Sequence, residues 1–249
     1  MTVLRILKGD LNLRNVCAVW VPHDLTPEHK LQRVNCAKHI RSTLLNEDWR
    51  DIYAVEDETY VNLNPRRSKA QNRTWIPKDS PRCQVVKPSL NDKKCLLIVA
   101  FTPNRRFSLT VLPKGQTLDA QGMIEFIRTT GNKWRTLRSH PIHLNQLLWQ
   151  MDNARPHSAR ATQAYLQQRQ VRTVWQSPYS PDLNLCDRFL FSWLKNDLSD
   201  QRFQNHEDLE KAALRALRNM SEEALVNQVE KLLAHCQSVI DHGGDYITP

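Results

Sequence analysis

Apolar residues at Leu31, Val34, Ala37, Ile40 and Leu44 recur at helical spacing, and Thr26-Pro27-Glu28 ahead of them supplies an N-cap, a proline at the first helical position and an acid in the first turn. The spacing predicts a helix whose basic residues Lys30, Arg33, Lys38 and Arg41 fall largely off the apolar stripe, as a solvated face. From about 52 to 63, I-Y-A-V-E-D-E-T-Y-V-N-L reads as a strand with Asp57 near its middle. Carboxylates are poor strand formers, so three in a row need a local reason. A metal ion is one; an edge strand whose acids face water is the plainer one.

Beyond that strand, residues 64–94 lose periodicity and carry Pro65, Pro77, Pro81 and Pro88. Two strands follow, near 95–101 and 107–112, joined as a hairpin by T-P-N-R-R. A helix is expected over 118–128, with Met123, Phe126 and Ile127 apolar, then a poorly periodic segment holding Lys133, Arg135 and Arg138. L-L-W-Q-M at 147–151 is a short buried strand ending at Asp152; Pro156 opens a helix to about Gln170; 171–175 is the next strand. After the turn S-P-Y-S-P, a helix carrying Asp187 runs to about Leu198. Leu209, Ala213 and Leu217 stripe one closing helix, and Leu225, Val229, Leu232, Cys236 and Val239 stripe another, stopped by Gly243-Gly244. These two are expected to serve as packing elements.

Composition narrows the class. Lys+Arg 35 against Asp+Glu 26 gives a formal net charge of +9, which favours a polyanionic partner, nucleic acid first among them. Hydrophobic residues at 40% argue against wholesale disorder. No apolar run approaches the ~20 residues of a membrane span, and the first residues lack a secretory apolar core; a soluble chain with no membrane partner is expected. Cysteines 17, 36, 83, 95, 186 and 236 form neither C-x-x-C pairs nor zinc-finger spacing, and read as reduced, packed thiols.

Three aspartates carry the candidate chemistry. Asp57 on its strand, Asp152 at a strand end and Asp187 on a later helix can be brought to one point, where α/β sheets place their sites. Clustered without a cation, each pair at about 4 Å and an effective dielectric near 20 costs on the order of 4 kcal/mol. Two Mg²⁺ ions would relieve that repulsion and supply phosphodiester cleavage chemistry. Asp57 would bridge both ions, Asp152 hold one and Asp187 the other. Taken singly, each has a plainer reading: exposed strand acid, helix cap, solvated helix residue.

Two further stretches stay open on spacing alone. Trp20, Pro22 and His23 in V-C-A-V-W-V-P-H-D-L form either a strap across the domain or a linker that grips another subunit. Arg66, Arg67, Lys69, Arg73 and Trp75 in the long loop suit an arm gripping a nucleic-acid backbone or a subunit.

D-N-A-R-P-H at 152–157, Y-S-P-D-L at 179–183, the 34 residues between Asp152 and Asp187, and W-V-P-H-D-L at 20–25 resemble mariner-type transposases of the DD34D branch. The order of elements, a three-strand meander followed by alternating α/β units, resembles the ribonuclease-H-like fold. The expected class is therefore α/β, a mixed sheet flanked by helices, with an N-terminal linker and helix and C-terminal helices. The resemblance implies an interdomain linker remnant over 1–26 and a catalytic domain over 27–249 with a clamp-like loop at about 64–94. It implies that the helix-turn-helix region preceding the family's linker is missing here, and that Trp20 and Trp75 contact DNA or a partner subunit. It further implies a nuclear, homodimeric enzyme that uses Mg²⁺ or Mn²⁺ to cut double-stranded DNA at transposon inverted repeats and join the ends to a TA target. The alternative is a catalytically silent or truncated relic that binds DNA or dimerises. Departures from the family pattern are V-E-D-E where the family has T-G-D-E, N-L-C-D in place of a proline before the third acid, and Arg188-Phe189 after it.

Overall fold

The computed structural model describes residues 3–13, 21–63, 65, 94–199 and 201–247. A short helical stretch, Val3–Arg5 running into Ile6–Asp10, is wholly exposed. The first long helix, α1 (Pro27–Leu45), begins in a capping box: Thr26 Oγ1 accepts from the His29 backbone N–H, and His29 Nδ1 accepts from the Thr26 N–H. Its buried face is not quite the apolar stripe. Leu31 is 60% exposed, whereas Arg33 is buried beside Cys36, Ala37, Ile40 and Leu44.

The remaining elements follow in chain order. After a single turn at Trp49–Ile52 come β1 (Tyr53–Asn62), β2 (Lys94–Phe101), β3 (Phe107–Leu112), α2 (Ala120–Arg135), β4 (Leu148–Gln150), α3 (Arg160–Gln168) and β5 (Arg172–Val174). A π-helical turn, Cys186–Leu190, then leads into α4 (Phe191–Asp197), followed by α5 (His206–Asn219) and α6 (Glu222–Asp241). The five strands form one sheet in the order β3-β2-β1-β4-β5. β1 is its centre, antiparallel to β2 and parallel to β4. The edge-strand reading of the three acids therefore fails.

Alternation along β1 sorts side chains between two cores. Tyr53, Val55 and Val61, with Leu97, Val99, Leu148 and Val174, pack against α1, α4, α5 and α6. Ala54, with Ile98, Ala100 and Trp149, packs against Met123, Phe126, Ile127 and Trp134 of α2 and Leu166 of α3. The closing helices are packing elements, as their stripes predict.

Two expected boundaries shift. The helix expected over 118–128 extends to Arg135, because its buried face continues through Thr130, Gly131 and Trp134. The helix expected from Pro156 to about Gln170 is broken: one turn at Arg155–Ser158 is separated from α3 by Ala159 in extended conformation (φ −59°, ψ 137°). Cys36, Cys95, Cys186 and Cys236 are free and buried; Cys17 and Cys83 lie outside the described residues. Among those residues, no helix is long and apolar enough to cross a membrane.

Arg33, expected on a solvated face, instead holds three distant segments together. Its guanidinium makes a two-pronged ion pair with Asp182 (Nη1–Oδ1 2.7 Å, Nη2–Oδ2 2.9 Å) and donates to Ser180 Oγ at 3.0 Å. Its Nε donates to the Gly244 carbonyl at 2.8 Å. His235 Nε2 reaches the other side of Asp182 at 2.8 Å. Gly244 is there for steric reasons: its φ is +89°, and a Cβ would lie 2.1 Å from the Lys30 carbonyl oxygen.

Burial raises the Asp182 carboxyl, but the bonds from Arg33 and His235 outweigh it and hold it at about 2. A depressed carboxylate stabilises the fold above its unfolded value of 3.8, and that contribution is lost as pH falls through about 2. Arg33→Met, which leaves Asp182 with His235 alone, is expected to cost about 3 kcal/mol at neutral pH by denaturant titration. Wild-type stability should fall more steeply than that of the variant between pH 4 and 2; parallel acid slopes would show that the pair contributes nothing.

Candidate active site

The parity of β1 decides what each of its three acids meets. Asp57 shares the face of Tyr53 and Val55, towards the C-terminal helices; Glu56 and Glu58 share the face of Ala54, towards α2 and α3. On the first face, Asp57 is 6% exposed. Its Oδ1 accepts from the Glu58 N–H at 2.7 Å, and its Oδ2 accepts from Asn184 Nδ2 at 3.0 Å. The Asn184 Oδ1 in turn accepts from the Cys186 N–H at 2.8 Å. That bond fastens the start of the Cys186–Leu190 turn to the site and sets Asp187, next along it, within hydrogen-bonding reach of Asp57.

Asp152 follows β4 at the neighbouring strand end. Its Oδ1 accepts from the Ala154 N–H at 2.8 Å and faces His157 Nδ1 at 2.7 Å. It stands close enough to raise the proton affinity of both Asp57 and Asp187. Between Asp152 and Asp187 lies an open cleft of about 430 Å³, walled by Asn153, Gln176 and the turn Ser177–Pro181. The structure thus brings the three aspartates together: Asp152 and Asp187 line the cleft, and Asp57 is buried beside Asp187. Buried polar bonds brace its floor: Gln150 Nε2 donates to Gln176 Oε1 and to the Leu183 carbonyl, both at 2.9 Å, and Tyr53 hydrogen-bonds Gln150.

Electrostatics confirm how unfavourable this cluster is by itself. Burial, then the charges of Asp187, Glu56 and Asp152, push the Asp57 carboxyl up to about 9. Asp187 is raised too, by burial and Asp152, while its bond with Asp57 opposes the shift. Asp57 is the more buried of the pair and keeps the proton. Asp152 is also raised by burial, but its bonds with His157 and Ala154 prevail and it stays below its ordinary value. The donor set is hard oxygen, crowded and short of positive charge, which fits Mg²⁺ or Mn²⁺.

On the opposite face of β1, His157 is 1% exposed and sits between carboxylates. Nδ1 meets Asp152; Nε2 lies 3.1 Å from Glu58 Oε1 and 3.4 Å from Glu56 Oε2. Burial lowers the imidazole's proton affinity, but Glu56, Asp152 and Glu58 raise it further, to about 11. Burial pushes Glu56 up to about 8, against the pull of His157. Sequence reading gave no role to His157, Asn184 or Glu58. His157 closes the D-N-A-R-P-H block, Asn184 stands three residues before Asp187, and the two-residue spacing of Glu56 and Glu58 puts them on one face.

Of the linker residues, Pro22 and His23 are exposed, and the His23 ring stacks on Tyr179 with centroids 3.9 Å apart. Tyr179 lines the cleft, so this end of the linker lies on the chain's own body beside the aspartates. Trp20, Arg66, Arg67, Lys69, Arg73 and Trp75, and with them nearly all of the clamp-like loop, lie outside the described residues.

A family model described as a DDE superfamily endonuclease matches residues 54–210, well over half of the chain, and the chain belongs to that family. It is 26% identical over 245 residues to the human histone-lysine N-methyltransferase SETMAR, covering 98% of this chain and 35% of that protein. It is 24% identical over 194 residues to the Mariner Mos1 transposase of Drosophila mauritiana, covering 77% and 55% respectively. The chain therefore spans about a third and about half of these relatives. Among solved structures, the Mos1 paired-end complex with Mn superposes with a TM-score of 0.81 at 22% identity, over 97% of this chain and 70% of that one. The Mos1 catalytic domain alone gives 0.72 at 20% identity, over 92% and 100%. This DDE superfamily endonuclease domain has the ribonuclease-H-like fold, the fold of the Mos1 catalytic domain.

A group whose folded value is raised favours the fold below its unfolded value and loses that contribution as pH rises towards the folded one. For Asp57 the window runs from about 4 to 9. In metal-free buffer, Asp57→Asn exchanges one accepting oxygen for an NH2 group, a cost that is the same at every pH. Its melting temperature relative to wild type should therefore be roughly 5 °C higher at pH 8 than at pH 4. A difference independent of pH would show that Asp57 is not held protonated.

Proposed function

We propose that this chain is the catalytic domain of a mariner-like DNA transposase, with Asp57, Asp152 and Asp187 as its catalytic acids and metal ligands. The observation that carries the reading is that the three come together from β1, the end of β4 and the Cys186–Leu190 turn, with Asp152 and Asp187 lining the cleft and Asp57 buried beside Asp187. Mos1 paired-end complexes have been solved with Mn and with Mg, which supports divalent metal as the working cofactor here. Asp57 would bridge two ions, Asp152 hold one and Asp187 the other. When bound, such ions supply a nucleophile at neutral pH and neutralise charge at the leaving oxygen.

The chain's own residues prepare the cleft for that chemistry. Asn184 and the Glu58 N–H fix both oxygens of Asp57. The Ala154 N–H and His157 occupy one oxygen of Asp152, which leaves the other to face the cleft. Net positive charge draws in the substrate. In this reading the substrate is double-stranded DNA: transposon inverted repeats are cut and the ends joined to a TA target. The Mos1 pre-cleavage transpososome and strand transfer complex support it. Homodimerisation and action in the nucleus belong to the same reading, with Trp20, Pro22, His23 and the basic loop residues Arg66, Arg67, Lys69, Arg73 and Trp75 as the DNA or partner contacts.

The test is nicking of supercoiled plasmid in Mg²⁺ or Mn²⁺. Wild type should nick, and Asp152→Asn or Asp187→Asn should reduce the rate on the order of 10²-fold or more, since even outer-shell losses at metal sites cost 10–100-fold. Equal rates from Asp152→Asn would defeat the assignment. Salt-sensitive DNA binding with no metal-dependent cleavage would instead identify a DNA-binding relic.

A further inference from the structure

We infer that Glu56, Glu58 and His157 form a second cation site, on the face of β1 opposite Asp57, for a transition-metal dication such as Mn²⁺ or Zn²⁺. Ligand atoms of these three residues all lie within 4.8 Å of one another. His157 Nε2 stands 3.1 Å from Glu58 and 3.4 Å from Glu56. Ligands bound at about 2.0–2.2 Å to one ion are separated by roughly 3–3.5 Å, which these two distances match.

The arrangement around the imidazole is that of a metal ligand. A metal-binding histidine nearly always donates its other ring N–H to a carboxylate, which fixes the tautomer and aims the free lone pair at the ion. Here Nδ1 meets Asp152 Oδ1 at 2.7 Å, so Nε2 points at two carboxylates, and an ion there would take the place of its proton. Three electron-rich groups facing one another need positive charge between them. A proton on Nε2 can serve one of them, and the alignment gives it to Glu58.

Glu56 is then left over. It is fully buried, and neither of its oxygens has a hydrogen-bond partner. A buried carboxylate without a hydrogen bond is costly, and this one, 3.4 Å from His157 Nε2, borders the space that an ion would occupy. Glu58, the most exposed of the three, gives the entry path. One nitrogen with two carboxylates suits Mn²⁺ or Zn²⁺ better than Mg²⁺, which prefers oxygen and keeps its waters. Bound there, the ion holds His157 in the tautomer that fastens Asp152, a structural role distinct from that of the catalytic ions.

The site is tested with the whole chain carrying Asp57→Asn and Asp187→Asn, which removes the aspartate site and any dependence on its assignment. Mn²⁺ is titrated and followed by electron paramagnetic resonance, with echo modulation to detect directly bound imidazole nitrogen. One ion is expected to remain bound, with nitrogen coupling and persistence in excess Mg²⁺. Adding Glu56→Gln should weaken it at least tenfold, and His157→Gln should abolish the nitrogen signal. Thermal melts without metal check that each variant is folded, and Mn²⁺ should raise melting only where Glu56 is retained. Absence of a retained ion, a bound ion without nitrogen coupling, or unchanged affinity in the folded Glu56→Gln variant would each overturn the inference.

Discussion

Placing three consecutive carboxylates in the middle strand of a sheet imposes a single constraint on everything around it: both faces must answer buried negative charge. Strand parity sends Asp57 one way and Glu56 with Glu58 the other. On one side the answer is a carboxyl whose proton affinity is raised and an asparagine amide; on the other it is an imidazole. Asp152 joins the two, because it faces the cleft and also bonds the histidine behind it. The two faces of β1 are therefore electrically connected, and a change in charge on one is felt on the other.

Much of this was legible in the sequence, for identifiable reasons. The element order followed from periodicity, which the strands at Lys94–Phe101 and Phe107–Leu112 and the closing helices obey. Asp152 and Asp187 were found from their spacing and flanking blocks, Asp57 as the middle acid of an unusually acidic strand, and the fold brings them together. The failures share a cause. Arg33 looked solvated because its partners, Asp182 and Gly244, are 149 and 211 residues away; nothing local distinguishes it from Arg41. His157 gained no role because its meaning depends on a strand ninety-nine residues earlier. Helix α2 was cut short at 128 because its buried face continues through Thr130 and Gly131, which no apolar stripe would include.

Helix breaks and turns do specific work near the site. The extended Ala159 ends one turn and starts α3, which leaves His157 at the end of a short, separately aimed segment. A continuous helix would have carried that ring round with the rest. The π-helical turn at Cys186–Leu190 is similarly placed next to function, where such turns concentrate. Its amide bond to Asn184 sets where Asp187 enters the cleft.

The clamp that Arg33 makes on Gly244 and on the turn at Ser180–Asp182 also dictates an order of events during synthesis. The turn that walls the cleft gains its last braces only when α6 has docked and residue 244 is in place. Contacts spanning this much of the chain are slow to form. The acids at 57, 152 and 187 are therefore synthesised before the last of the contacts that brace the cleft wall can form.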